Sequence, residues 1–169
     1  MNNKFENLVD KEKYQVFLFS SLCTFPLSFA SHGWFVVNRK GVLSRWAVNH
    51  RGNVGEKSWG HLALNFLPAF SGLNIFLFTS KGHFKAKLIG LLEGDENSLA
   101  KKIADFIENS PNIYPYCNTY HFVGPNSNTY IQWVLNNFSQ FKVKLPWNSF
   151  GKNYKKKPIK SILSYFSIN

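Results

Sequence analysis

Residues 114–133, YPYCNTYHFVGPNSNTYIQW, hold CNTY and SNTY ten residues apart, one led by a thiol and the other by a hydroxyl. Cys117 and Ser127 are therefore both candidate nucleophiles for acyl chemistry. Cys117 follows PNIYPY on an extended connector where no helix pattern begins and nothing nearby lowers its pKa. That position suits a small apolar side chain half covered by Tyr114 and Tyr116. Ser127 stands where GPN forces a turn and a helical pattern starts at once. Free N–H groups and the helix dipole favour negative charge there, so a hydroxyl can be activated and an oxyanion held. The same residue types also cap helices, and Asn126, Ser127, Asn128 and Thr129 all qualify. Capping and chemistry both remain open.

A nucleophile needs a base. Of the five histidines, His83 falls in a predicted hairpin turn and His61 in an irregular stretch. His121 lies in the connector before Ser127, where it can pack or face a ligand. His32 opens a strand and shares its face with Trp34 and Val36 by the period of two. With Arg39 and Lys40 as the central turn residues, position 32 falls opposite 47 and diagonal to 49. Asn49 can then orient His32 as a general base, while His50 points to the other face. A plain buried histidine is the other reading. No His, Cys, Asp or Glu cluster has ligand spacing, so neither a metal nor an organic cofactor is implied.

These residues need elements to place them. KYQVFLFSS reads as a buried strand, and HGWFVVN–RKG–VLSRWAVNH as a hairpin closed at Gly41. Residues 51–73 are irregular, broken by Gly52, Gly55, Gly60, Pro68 and Gly72. LNIFLFTS and FKAKLIGLLEG suggest a second hairpin around KGH. DENSLAKKIADFIENS is the clearest helix, capped at Asp95 or Asn97, and SNTYIQWVLNNF predicts another. Strands mostly before helices imply an α+β fold, a small antiparallel sheet packed against two or three helices.

At 169 residues with 44% hydrophobic content and 17 Phe, the chain fits a single domain over 1–169, its core about 14–154. No long uncharged apolar run predicts a membrane span. The acidic residues ahead of YQVFLFSSLCTFPLSFAS, and Pro26 within it, argue against a cleaved signal. Two widely separated cysteines fit a cytoplasmic protein, peripheral at a membrane at most. The net charge of +11 favours anionic surroundings. In the basic tail 152–169, KNYKKKPIK precedes Ile159, Ile162, Leu163 and Phe166 at helical spacing, a segment that can lie on an anionic membrane or dock on the domain. Nucleic acid is a poor fit, since no stacking motif or recognition helix stands out.

YPYCNTYHFVGPNSNTYIQWVL, followed by LPWNSFGKNY, resembles a bacterial domain-of-unknown-function family 3750, whose relatives carry GPNSNTF, a later LP…GK and an H-x-W strand matched by HGW at 32–34. The arrangement is similar to the circularly permuted papain-like fold of lecithin–retinol acyltransferase. That resemblance places Ser127 on the catalytic cysteine and His32 on the catalytic histidine, and matches Cys117 to nothing. Relatives tend to carry an acid after the aromatic of the second hairpin strand, whereas Trp46 is followed here by Ala47. Asn49 is the substitute third member. The resemblance implies two functions. One is a Ser/His hydrolase or acyl transferase on a small amide or ester, with Ser127 as nucleophile, His32 as base and Asn49 as orienter. The other is a catalytically silent papain-like domain binding a lipid, peptide or cell-wall fragment. In either, Trp34, Asn126, Asn128, Thr129 and His121 are the candidate ligand-facing residues.

Overall fold

The computed structural model describes residues 4–76 and 82–155. The tail segment from Lys156 onward, with its apolar helical spacing, lies outside the described residues. The chain is α+β, as its strand-then-helix order implies. Strands β1 (Tyr14–Leu22), β2 (Ser31–Arg39), β3 (Val42–Val48), β4 (Lys57–Trp59), β5 (Leu62–Leu64) and β6 (Lys87–Gly94) form one antiparallel sheet. Its order is β4-β5-β3-β2-β1-β6, so the two longest strands, β1 and β2, are adjacent and each is flanked on both sides. Helices α1 (Leu99–Glu108), α2 (Ser110–Ile113) and α3 (Ser127–Asn137) follow.

VFLF in β1 is continuously apolar because the strand is buried on both faces. Val16 and Leu18 face the helices with Phe35, Val37, Ile103, Ile107, Ile131 and Val134. Phe17 and Phe19 join Trp34, Val36, Ala47 and Phe70 on the opposite face. Each fully buried aromatic side chain here contributes about 1.5–3 kcal/mol of transfer free energy. Gly33 is small because a Cβ there would meet Ile131 Cγ1 at 3.0 Å and Asn128 Oδ1 at 3.5 Å. Alternation along β2 therefore points Ser31, Gly33 and Phe35 at α3, and His32 and Trp34 away from it.

Four details differ from the sequence reading. The β2–β3 turn centres on Lys40 and Gly41, both at positive φ (49° and 94°). This type I′-like geometry shifts the register to Arg39↔Val42 and Phe35↔Trp46. Continued, that register sets Asn49, not Ala47, level with His32. The helix cap is Ser98, whose Oγ accepts from Lys101 N at 3.2 Å, because the Asp95 carboxylate is taken by Asn97 N in the preceding turn. Among the described residues the second hairpin keeps the Asn74↔His83 bridge, with Ile75 N on Gly82 O and Phe84 N on Leu73 O, while β6 pairs with β1. Two three-residue strands, β4 and β5, lie inside the stretch read as irregular.

Candidate functional site

Ser127 is the first residue of α3, and the cap is its neighbour. Asn126 Oδ1 accepts from Asn128 N at 3.0 Å and Thr129 N at 3.2 Å, while Asn126 N donates to Thr129 Oγ1 at 3.1 Å. This capping box takes two of the helix-start donors that an oxyanion would need. The remaining amides of GPNSNT reach outward. Asn126 Nδ2 donates to Phe122 O (2.7 Å) and Phe150 O (3.0 Å), and Asn128 Nδ2 to Ser31 O (2.9 Å) and Phe150 O (3.0 Å). Thr129 Oγ1 donates to Gly151 O at 2.8 Å. Gly151, at φ 85°, has no room for a Cβ, which would fall 2.5 Å from the Asn126 amide. Lys152 Nζ closes the LP…GK loop on Pro146 O at 2.7 Å. The two sequence segments GPNSNT and LP…GK are thus halves of one clasp that fixes the start of α3 to the start of β2.

The Ser127 hydroxyl is left out of this clasp. It is 3% exposed and has no hydrogen bond among the described residues. His32 and Asn49 do not bond to it. His32 stacks on Trp34 with ring centroids 6.0 Å apart, on the sheet face away from α3, and its buried Nε2 has no partner among the described residues. Asn49 Nδ2 donates to Ala47 O at 3.3 Å, and Asn49 O contacts His61 Nδ1 at 2.8 Å. The structure therefore links none of Ser127, His32 and Asn49 by a hydrogen bond. Trp34 is fully buried, and its Nε1 donates to Ala69 O at 3.0 Å. His121 is exposed.

Burial, then the positive charges of Arg45 and His50, push the His32 pKa down to about 3. Its imidazole is neutral at ordinary pH and a weak acceptor of a further proton. Arg45 itself is buried with no carboxylate partner among the described residues. Its guanidinium lies 4.2 Å from the Trp34 ring centroid, and Nη1 donates to Pro68 O at 2.9 Å and Ser71 O at 2.5 Å. Burial also raises the Cys117 thiol pKa, so nothing in its surroundings makes it a thiolate.

His32 and Asn49 do share a cavity. A cleft of about 360 Å³ opens at this end of the sheet, lined by them together with the Cys23–Leu27 loop, His50, Arg51, Phe66, Leu67, Leu73, Asn74, Phe76, Tyr120 and Phe122. Asn74, also in the lining, has a buried Oδ1 without a partner among the described residues. Cys23 in the wall is held protonated, its pKa raised to about 11 by burial. Sequence reasoning missed most of these residues, because they come from four separate connectors with no local periodicity. The one available signal was the density of Phe in segments otherwise read as loops. Among the described residues, no group of three or more His, Cys, Asp or Glu could hold a metal ion, and no helix is long and apolar enough to cross a membrane.

The sequence model of a family described as "Protein of unknown function (DUF3750)" matches residues 13–154. The chain belongs to this family. No curated protein and no solved structure matches it. The matched span of the DUF3750 domain takes in the whole sheet, all three helices, the cleft and both halves of the clasp.

Proposed function

We propose that this DUF3750 domain is a ligand-binding module whose cleft takes a single apolar chain ending in a hydrogen-bonding, anionic head. The cleft carries this reading: about 360 Å³, a largely apolar surface with four Phe and three Leu in its lining, and polar atoms of His32 and Asn74 that have no partner among the described residues. Buried polar atoms without partners call for a water or a ligand group. The volume falls in the lower part of the range of about 300–1,000 Å³ for small-molecule sites. Arg51, in the lining and in no ion pair among the described residues, offers a charge for the head. A peptide or glycan would bring many polar groups against an apolar wall and leave them unpaired. A lipid chain would not. The test is displacement of a fluorescent anilinonaphthalene sulfonate probe by dodecanoate, in the wild type and in Leu67→Trp, which fills the cleft. Saturable binding abolished by Leu67→Trp is expected; binding unaltered by that substitution would sink the proposal.

The Ser/His hydrolase or acyl transferase is the second reading, and one observation favours it. Because Asn126 supplies the cap, the Ser127 hydroxyl at the helix start is free for other chemistry. It lacks a base in contact, and the proton affinity of His32 is low. Fluorophosphonate labelling of the wild type is therefore expected to be negligible. Strong labelling lost in both Ser127→Ala and His32→Ala would reverse the ranking.

A further inference from the structure

The mouth of the cleft continues into an exposed aromatic surface. Phe25 and Phe29 are each 57% exposed, Phe76 50%, Phe122 40%, and Trp147 84%. They ring the cleft mouth in two sets: Phe25 meets Phe76 at 6.1 Å, Phe29 meets Phe122 and Phe150 each at 6.1 Å, Trp147 and Phe150 line one shallow hollow with Val123, and Phe25, Phe76 and Phe122 all line the cleft between them. Exposed rings clustered in this way are uncommon on a surface that faces only water.

Charge is divided along the same axis. Eight of the nine acidic residues lie within 6–12 and 93–108, at the far end of the sheet, and none follows Glu108. The ninth, Glu56, is hydrogen-bonded by Asn65 Nδ2 at 2.7 Å. Four cations at the far end meet carboxylates, Lys13 with Glu93, Arg39 with Asp105 and Glu108, and Lys40 and Lys101 with Glu96, whereas Lys11 and Lys102 there form no ion pair among the described residues. Arg51 at the cleft and Lys152 and Lys155 beside the aromatic hollow form no ion pair among the described residues. In the sequence, Lys156, Lys157 and Lys160 follow directly.

Unpaired cations around amphipathic and apolar rings match a bilayer interface bearing anionic headgroups. We infer that the cleft end of the domain docks on an anionic membrane through the Phe25–Phe29–Phe122–Trp147 surface. The docking stands on that surface and its charge. That the bilayer supplies the occupant of the cleft rests on the ligand reading above.

Co-sedimentation with vesicles of three parts phosphatidylcholine to one part phosphatidylglycerol tests it, beside vesicles of phosphatidylcholine alone. The wild type is expected to bind the anionic vesicles preferentially and to release as salt rises. Phe29→Ser with Trp147→Ser, both outside the cleft lining, is expected to weaken binding by about tenfold or more, given the apolar area removed from the interface. Val42→Ser, a control 71% exposed at the opposite end, should bind as the wild type does. A thermal melt of each variant confirms that it is folded. No preference for anionic vesicles, or undiminished binding by the double variant, overturns the inference. So does a dimer dispersed by the double variant without vesicle binding, since the rings would then cover a second copy. Dodecanoate binding by the wild type in solution separates the two readings: its absence with vesicle binding intact strikes the cleft proposal alone.

Discussion

The two ends of the sheet are built on different physics. Where β1 begins, charge meets charge: Lys13 with Glu93 at 2.8 Å, Arg39 with Glu108 at 2.6 Å, and Lys101 with Asp105 at 2.9 Å. Where β2 begins, mostly neutral groups do the fastening, beside the Lys152 ammonium on Pro146 O: the Asn126 and Asn128 amides, a Ser31–Ser149 hydroxyl pair at 2.7 Å, and Asn148 Nδ2 on Phe29 O at 3.1 Å. Ion pairs on the surface neutralise one another and weaken with salt. An amide clasp holds the backbone without consuming charge, so cations beside it keep their field for an external anion. The first end is scaffold. The second is the end free to bind something.

The largest effect expected at the binding end comes from pH. An unfolded imidazole titrates near 6.5 and the folded His32 near 3. Between those values the unfolded chain takes up a proton that the folded chain refuses. The stability present above pH ~6.5 is therefore lost progressively as pH falls toward 3, by about 3 kcal/mol between pH 7 and pH 4. His32→Phe keeps a ring on Trp34 and removes the titration. Denaturation at a series of pH values should show a wild-type decline that the variant lacks beyond its background of carboxylate effects. Parallel declines would mean that His32 is solvated, and the cleft would lose its buried polar atom.

Next in size is the clasp itself. Asn126→Ala removes a cap worth about 1 kcal/mol and two amide donors to Phe122 O and Phe150 O. Leaving those carbonyls short of donors brings the total to about 2–3 kcal/mol, read as a lower urea midpoint. The loss should change little between low and high salt, because neither partner is charged. A loss that vanishes at high salt would show the clasp to be electrostatic and erase the contrast between the ends.

Strands β1, β2 and β3 and helices α1 and α3 were legible because each carries its own period. The central strands show unbroken apolar runs; the helices show apolar residues at three- and four-residue spacing. The β2–β3 register was misread by two residues because Lys40, a non-glycine, takes positive φ in the turn. Strands β4 and β5 are too short to show a period. At the candidate site, the sequence pointed correctly to the helix start at Ser127 and the strand start at His32, since turn and cap chemistry are local. It could not place them on opposite faces of the sheet. Nor could it show that GPNSNT and LP…GK close on each other, a contact across more than twenty residues of chain. The cleft was least legible, for its walls are connectors brought together only by the fold.

The smallest effect belongs to the paired end. Arg39 is about a third exposed, and its Nε lies 2.9 and 2.8 Å from the two carboxylate oxygens of Glu108 while the Arg39 guanidinium also reaches Asp105. Its contact with two carboxylates sets it above an ordinary surface pair, but solvent screens both partners. Arg39→Met, which keeps the apolar stem against the sheet, should cost about 1 kcal/mol at low salt and less as salt rises. Vesicle binding should be retained or slightly weakened, because freeing Asp105 and Glu108 adds negative charge only at the end remote from the rings. If Arg39→Met abolished membrane binding while the fold stayed intact, the charge division along the sheet would have to be read the other way round, with the acidic end turned toward the partner.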